Sequence, residues 1–298
     1  MILKIVVGIP AFNEEKNIAK IIVKLQKVAD AIIVCNDGST DLTREISEKL
    51  GVEVINHSKN MGYGAGIRSI FLKASEMDSD ILVTFDADGQ HRIQDIETVI
   101  KPIVKNNADI VIGSRFLKDE NSENVPKYRK IGIKAITSIT DSVTDLKLTD
   151  SQSGFRAYRK NVLKQIIPSD KGMGVSTEIL IKASQKKFKV KEVPIKILYE
   201  GDTSTHHPVS HGASVIFSTM KYASIEHPLK FYGIPGIIFL AIGLFFIVWT
   251  LQSFAETRQI ITNISLIGIG SVILGTMLSI NAIMLYSLVS VVRERNNQ

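Results

Sequence analysis

The chain has 298 residues, 45% of them hydrophobic, and carries a formal net charge of +6. This length and composition suit one buried domain plus an appendage and exclude a disordered chain. The single cysteine, Cys35, excludes an intramolecular disulfide framework and lies in an apolar run typical of a buried strand. The positive charge favours an anionic membrane or phosphorylated substrates over nucleic acid, because no basic run is interleaved with aromatic residues.

Short β-branched runs alternate with amphipathic segments over the first 113 residues. Strands are predicted over residues 4–9, 31–34, 52–57, 81–85 and 110–112. Helices are predicted between them, the first over residues 18–28 and the second after the capping residues 39–41. The alternation predicts an α/β fold in which a mostly parallel sheet is covered by helices on both faces.

Polar and acidic residues follow three of the predicted strands. Asn13 and Glu14 follow the first, Asp37 follows the second, and Asp86 and Asp88 follow the fourth. Sheets of this type bind ligands beyond the carboxyl ends of their strands. The sequence therefore predicts a binding site at this edge.

The sequence Asp86-Ala87-Asp88 can bind one hard cation through carboxylate oxygens, with Gln90 as a third ligand. A D-x-D sequence alone is a weak signal, because turns and helix caps often contain it. Its position after a central strand, next to the strand that ends at Asp37, favours a metal site.

The pattern loosens after residue 113. A polar stretch over 118–127 precedes a predicted helix over 129–143. A second small unit is predicted over 151–197. It contains a helix over 177–187 and a strand over 190–197.

Residues 199–212 are predicted to form a loop and contain three histidines. A mobile cover over the site is favoured over a zinc site, because His206 and His207 are adjacent and no fourth ligand is evident. An amphipathic juxtamembrane helix is predicted within residues 213–230.

Residues 231–254 and 260–292 contain no charged side chain. At a rise of about 1.5 Å per residue, each segment can cross a hydrocarbon layer of about 30 Å. The alternative is a pair of buried core helices. Two membrane spans are favoured, because a head of this size does not need two long charge-free helices.

The five residues between the spans predict a tight helical hairpin in a multi-pass membrane protein. Lys and Arg flank the side of the head, whereas Arg258 in the turn is offset by Glu256. This bias places the head in the cytoplasm, and the absence of a secretory signal pattern at the N-terminus agrees.

Seven short motifs share their order and spacing with a known family. They are Ile9-Pro10-Ala11-Phe12-Asn13-Glu14, Asn36-Asp37-Gly38-Ser39-Thr40-Asp41, Asn60-Met61-Gly62-Tyr63-Gly64, Asp86-Ala87-Asp88-Gly89-Gln90-His91, Gly113-Ser114-Arg115, Tyr128-Arg129-Lys130 and Asp150-Ser151-Gln152-Ser153-Gly154-Phe155-Arg156. Together they resemble the family 2 glycosyltransferases with the GT-A fold, most closely the polyprenyl-phosphate (dolichyl-phosphate) sugar synthases. The resemblance covers about residues 5–200 and implies a Rossmann-like catalytic domain over residues 1–212.

The resemblance also implies how the donor binds. Pro10, Asn13 and Glu14 lie along the nucleotide, and Asp37 holds the base or ribose. Mg²⁺ or Mn²⁺ on the diphosphate is held by three residues of one motif, namely Asp86, Asp88 and Gln90. The donors that fit such a site are GDP-mannose, UDP-glucose and UDP-N-acetylglucosamine.

Arg115 and Arg129 are expected to bind the acceptor phosphate, since a guanidinium matches phosphate oxygens bidentately. Surface ion pairing is the alternative for each. Glu178 is expected either to contact the sugar or to be a solvated helix carboxylate. With Asp88, the two arginines form the predicted catalytic set.

A polyprenyl phosphate acceptor explains why no general base is evident, because a phosphate monoester is already ionised near neutral pH. The Gln-x-x-Arg-Trp sequence of polysaccharide-extending relatives does not occur, and the one tryptophan, Trp249, lies in a predicted span. We expect a single in-line displacement with inversion.

Alternatives are transfer to another membrane acceptor, such as a glycolipid, diacylglycerol or a nascent glycan, and a non-catalytic nucleotide-sugar-binding module. Each of these functions is compatible with an oligomer.

Residues 62–66, Gly-Tyr-Gly-Ala-Gly, are not interpreted as a dinucleotide fingerprint. They follow the third predicted strand and lack the usual spacing. Close packing of a helix on the sheet is the preferred role. The loop over residues 199–212 departs from the family pattern, because it lacks the Arg or Lys that relatives place over the diphosphate.

Overall fold

The computed structural model describes residues 3–118, 127–197, 220–221, 224–225 and 227–296, with side chains described from residue 130 in the second stretch and to residue 291 in the last. The described residues belong to two compact units, Met1–Thr219 and Met220–Gln298. The predicted loop over 199–212 and most of the predicted helix within 213–230 lie outside the described residues.

The first unit contains one seven-stranded sheet. Its strands are β1 (Ile5–Ala11), β2 (Ala31–Asn36), β3 (Glu53–Asn56), β4 (Ile81–Thr84), β5 (Ile110–Ser114), β6 (Arg156–Arg159) and β7 (Val190–Pro194). They lie in the order β3-β2-β1-β4-β6-β5-β7. All neighbouring pairs are parallel except those of β6, which runs antiparallel to both β4 and β5. The expected mostly parallel sheet is confirmed.

In the described part of this unit, seven helices accompany the sheet. They are α1 (Glu15–Leu25), α2 (Thr43–Lys49), α3 (Tyr63–Glu76), α4 (Asp95–Val104), α5 (Lys127–Thr144), α6 (Lys160–Gln165) and α7 (Val175–Gln185). Neighbouring residues of β1 show that both faces are covered. Val7 lies in a buried cluster with Ile22 of α1, whereas Val6 lies in another with Ile70 of α3. Successive strand residues point to opposite faces, so the sheet separates two apolar cores.

The prediction of a separate small unit over 151–197 is wrong, because β6 and β7 belong to the same sheet as the other strands. The sequence of β6, Arg-Ala-Tyr-Arg, lacks the β-branched residues that mark the other strands. Its place between β4 and β5 depends on pairing with residues more than 40 positions earlier. Cys35, as predicted, is a fully buried strand residue.

The second unit contains two long apolar helices, α8 (Ile234–Thr257) and α9 (Thr262–Asn296), preceded by a π-helical turn over Leu229–Gly233. Arg258 adopts a left-handed conformation with φ +56° and ends α8. Both helices are long and apolar enough to cross a membrane, and only 11% of the most apolar stretch of each is buried. They are therefore not the buried core helices that the sequence left as an alternative.

Glycines set the contact between α8 and α9. A side chain at Gly236 would lie 3.1 Å from the Gly275 carbonyl oxygen, and one at Gly243 would lie 3.0 Å from that of Gly268. These glycines recur at seven-residue spacing in both helices. Small residues at this spacing let the two backbones approach closely, as in membrane helix pairs.

Candidate active site

The acidic residues converge at the carboxyl edge of the sheet, as the sequence predicts. The amide of Asp37 donates to the carbonyl of Ala11, which aligns the ends of β1 and β2. Burial raises the pKa of the Glu14 carboxyl, and the nearby charges of Asp88, Asp41 and Asp86 raise it further. The edge is thus a region of concentrated negative charge that a cation would stabilise.

The Asp86 carboxylate is held from three sides. Tyr63 Oη donates to Oδ1 at 3.1 Å, and His91 Nε2 lies 3.1 Å from Oδ2. On the third side, a Cβ added to Gly154 would lie 2.8 Å from Oδ2, so a side chain there would displace the carboxylate or a neighbouring group. The Asp86 side chain nevertheless retains 27% exposure. The carboxylate is fixed but open on one side.

These contacts keep Asp86 ionised and Tyr63 protonated. Burial by itself would raise the pKa of Asp86, but the hydrogen bonds of His91 and Tyr63 and the charge of Arg115 lower it. Burial and the Asp86 charge raise the pKa of the Tyr63 hydroxyl well above 10. Tyr63 is therefore a hydrogen-bond donor to an anionic carboxylate at neutral pH.

Asp88 lies in the turn that follows β4. Its Oδ1 accepts the Gln90 amide at 3.0 Å, and Gly89 supplies the positive φ of +76° that the turn requires. Within the described ranges, no group of three His, Cys, Asp or Glu residues forms a metal site. The carboxylates of Asp86 and Asp88 and the side-chain carbonyl oxygen of Gln90 suit a hard cation. Such a cation takes its other oxygen ligands from a bound diphosphate and water.

The turn after β1 is built by Asn13 and Glu14. Asn13 has a left-handed φ of +57°, and its Oδ1 accepts the Thr40 amide at 2.9 Å. The Glu14 amide donates to Thr43 Oγ1 at 2.7 Å. Pro10 lies half-buried in β1, beside Gly66 of α3. These residues join the loops that follow β1 and β2.

Asp37 is buried, with 6% exposure, and both of its oxygens are bonded. Oδ1 accepts the Met61 amide at 2.9 Å and lies 2.6 Å from His57 Nδ1, while Oδ2 accepts the Gly62 amide at 2.8 Å. In the structure Asp37 therefore holds the turn that leads into α3. Its contact with a base or ribose stays a prediction.

The glycine-rich segment packs against a loop as well as against the sheet. The carbonyl of Lys171 accepts the Gly64 amide at 2.9 Å, and a Cβ at Gly62 would lie 2.3 Å from that oxygen. Gly66 lies against Pro10 of the sheet, as the preferred interpretation requires. Gly62 and Gly64 have the additional role of admitting the 170–172 loop.

Glu178 also holds this loop, through the backbone amides of Ser169 and Asp170. Its carboxylate is fully buried and accepts the amides of Ser169 and Asp170 at 2.8 Å, and Lys182 Nζ lies 2.6 Å from Oε1. The solvated-carboxylate alternative is therefore wrong. The sugar contact stays a prediction, because these oxygens are engaged by the loop.

Arg115 makes a bidentate ion pair with a residue for which the sequence analysis proposed no role. Its Nε donates to Asp150 Oδ2 at 2.6 Å and Nη2 to Oδ1 at 2.8 Å, and Asp150 is fully buried. This is not the surface ion pair of the alternative. Arg129 lies in the first turn of α5, and its side chain is not described.

Arg156 is a fully buried guanidinium bonded to three backbone carbonyls. It donates to Ser153, Ser176 and Ser151 at 2.7–2.9 Å. These bonds shape the turn that brings Gly154 against Asp86.

The sequence predicted no individual role for four residues of the site, namely Tyr63, His57, His91 and Asp150. Tyr63, His91 and Asp150 lie inside the quoted motifs, which is the signal that could have found them. His57 follows β3 by one residue and is brought to Asp37 by strand pairing.

Comparison with known proteins agrees with this architecture. The family described as Glycosyl transferase family 2 matches residues 6–167. A UDP-N-acetylglucosamine–dolichyl-phosphate N-acetylglucosaminyltransferase of Methanococcus voltae is 36% identical over 228 residues, covering 70% of this chain and 89% of the relative. A dolichol-phosphate mannosyltransferase of Pyrococcus furiosus is 36% identical over 254 residues, covering 79% and 70%.

Among solved structures, glucosyl-3-phosphoglycerate synthase from Mycobacterium tuberculosis, in complex with Mn²⁺ and UDP-glucose, has a TM-score of 0.59 at 18% identity. The match covers 74% of this chain and 79% of that one. This similarity supports the GT-A-like fold. The matches in sequence show that the chain belongs to glycosyl transferase family 2 and is a glycosyltransferase.

Proposed function

We propose that this glycosyltransferase transfers a hexose from a nucleotide sugar to a polyprenyl (dolichyl) phosphate at a membrane. The observation that carries the proposal is the fixed, half-open Asp86 carboxylate at the carboxyl edge of the sheet, with Asp88 in the following turn. Relatives named for transfer to dolichyl phosphate and two apolar helices support a lipid acceptor.

The donor is proposed to bind across the ends of β1, β2 and β4. Asn13, Glu14 and Asp37 line the nucleoside end, and Asp86, Asp88 and Gln90 hold Mg²⁺ or Mn²⁺ at the diphosphate. When bound, the cation supplies positive charge that stabilises the departing nucleoside diphosphate. Tyr63 Oη and His91 Nε2 each lie 3.1 Å from an oxygen of the Asp86 carboxylate.

The acceptor phosphate is proposed to bind Arg115 and Arg129. Asp150 fixes the Arg115 guanidinium through two hydrogen bonds, so a bound phosphate meets a cation that is already oriented. An oxygen of the acceptor phosphate attacks the anomeric carbon as the bond to the nucleoside diphosphate breaks. The sugar is transferred with inversion, and no proton needs to be removed from the nucleophile.

The test is transfer by the full chain in detergent, with each of GDP-mannose, UDP-glucose and UDP-N-acetylglucosamine, a short polyprenyl phosphate and Mn²⁺. We expect at least one donor to yield a polyprenyl-phosphate sugar and a chelator to abolish the product. Asp88→Asn should lower the rate about 100-fold. It removes a charged ligand of the cation, and the bound cation stabilises the transition state by several kcal/mol.

Asp145→Asn is the matched control. Asp145 is exposed and has a left-handed φ of +58°, which asparagine also adopts readily. Unchanged transfer by Asp88→Asn would contradict the metal site. Transfer to diacylglycerol with no product from polyprenyl phosphate would contradict the acceptor.

A further inference from the structure

Two carboxylates of the proposed site follow strands that are not neighbours in the sheet. Asp37 follows β2 and Asp86 follows β4, and β1 lies between those strands in the sheet. Any coupling between the two carboxylates has to cross the end of β1. The described hydrogen bonds provide one such connection.

The connection is the segment Met61-Gly62-Tyr63. Asp37 accepts the amides of Met61 and Gly62 at 2.9 and 2.8 Å. The next residue, Tyr63, donates its hydroxyl to Asp86 at 3.1 Å. Three consecutive residues therefore join one carboxylate to the other.

Tyr63 has little freedom to leave this position. On its N-terminal side Gly62 has φ +98°, a conformation that glycine adopts without strain. On its C-terminal side the Gly64 amide donates to Lys171. The Tyr63 side chain packs against the buried apolar cluster that contains Ile67 and Ile179. Backbone and ring together aim the hydroxyl at Asp86.

We propose that Tyr63 is a positioning residue, which orients the Asp86 carboxylate for the divalent cation and through which Asp37 acts on Asp86. The proposal rests on the proposed function, because it assigns Asp86 to the cation. Hydrogen bonds to metal-binding carboxylates hold them in the orientation that the ion requires, and losing one typically weakens binding 10–100-fold. Hydrogen bonds through residues 61–63 thus connect the nucleotide end of the site to the cation end.

The test measures Mn²⁺ binding to the full chain in detergent by the EPR signal of free Mn²⁺, first without nucleotide and then with UDP or GDP, corrected for the Mn²⁺ that the nucleotide binds by itself. Tyr63→Phe removes the hydroxyl and keeps the ring, and we expect it to weaken Mn²⁺ binding about 10-fold. Tyr286→Phe removes the same atom from an exposed residue of α9 and should bind Mn²⁺ as the wild type does. Equal thermal unfolding midpoints establish that Tyr63→Phe is folded.

A double-mutant cycle tests the role of Asp37. Asp37→Asn should weaken Mn²⁺ binding in the same direction, and adding Tyr63→Phe to it should cause little further loss. In the transfer assay, Tyr63→Phe should raise the Mn²⁺ concentration at half-maximal rate about 10-fold and leave the rate at saturating Mn²⁺ within about twofold.

The outcomes separate this inference from the function on which it rests. Wild-type affinity in Tyr63→Phe, or tighter binding, would overturn the positioning role, and multiplied losses in the double variant would overturn the connection to Asp37. Absence of Mn²⁺ binding by the wild type both without nucleotide and with UDP or GDP, or binding that Asp88→Asn leaves unchanged, would instead overturn the proposed metal site itself.

Discussion

The Glu178 carboxylate stabilises the loop at residues 169–170 in a pH-dependent way. Burial would raise its pKa, but the hydrogen bonds of Lys182 and of Ser169 and Asp170 hold it below 4.5. A lowered folded-state pKa means that the stabilisation is fully present above about pH 4.5 and is lost as the pH falls through the folded pKa. We expect Glu178→Gln to lower the free energy of unfolding by about 3 kcal/mol at pH 7.

Thermal unfolding in detergent between pH 7 and pH 3 measures this difference. The difference in unfolding midpoint between wild type and Glu178→Gln should narrow as the pH falls below 4.5, because Glu178 then takes up a proton in the unfolded state and does so in the folded state only at lower pH. Glu76→Gln, a change at an exposed glutamate, is the control and should unfold like the wild type. A gap that widens at low pH would contradict the assignment.

Gly154 limits the space around Asp86. In Gly154→Ala the new Cβ would lie 2.6 Å from Tyr63 Oη and 2.9 Å from Asp86 Oδ1, so one of these groups has to move. We expect transfer activity to fall at least about 10-fold, since small displacements of a catalytic group are costly. The measurement is the initial rate of sugar transfer at a Mn²⁺ concentration below that at which the wild type reaches its half-maximal rate.

Gly132→Ala is the matched control for this change. Gly132 lies in α5, and a Cβ there has no atom within 4 Å. Alanine should keep the activity and stabilise the helix by up to about 1 kcal/mol. Full activity in Gly154→Ala would show that the Asp86 carboxylate tolerates displacement.

At the level of elements, the contact between α8 and α9 depends on the absence of side chains. In Gly275→Leu the new side chain would begin 2.7 Å from the Leu240 amide nitrogen and 2.8 Å from the Gly236 carbonyl oxygen. We expect the two helices to separate locally. Cysteines at Gly233 and Ala282, where the Cβ–Cβ distance is 3.7 Å, report on this, because that distance suits a disulfide.

The disulfide yield of this cysteine pair, in a chain with Cys35→Ser, should be high and should fall several-fold on adding Gly275→Leu. Gly270→Leu is the control, because Gly270 has no atom within 4 Å of an added Cβ. Equal yields in both leucine variants would contradict a glycine-mediated contact.

At the level of the whole molecule, the proposed topology places the head in the cytoplasm and the turn at residue 258 on the other side. In a Cys35→Ser chain, Arg258→Cys should react with an impermeant thiol reagent added to intact cells. Lys49→Cys, an exposed position on the head, should react only after permeabilisation. The reverse pattern would invert the proposed orientation.

The sequence by itself determined the alternation of strands and helices, the acidic edge and the two apolar helices. Each of these is a local property. Ile81, Leu82 and Val83 form a continuous apolar run, as expected of a strand that is buried on both faces, and Asp86 and Asp88 follow it closely in sequence. The motifs were specific enough as a set to identify the family before any contact was known.

The tertiary structure decided which side chains meet. The insertion of β6 between β4 and β5, the pairing of Arg115 with Asp150, and the path from Asp37 through Tyr63 to Asp86 join residues that are 23 to 78 positions apart. No periodicity encodes such contacts, because strand order and loop packing bring these residues together only after the chain has folded.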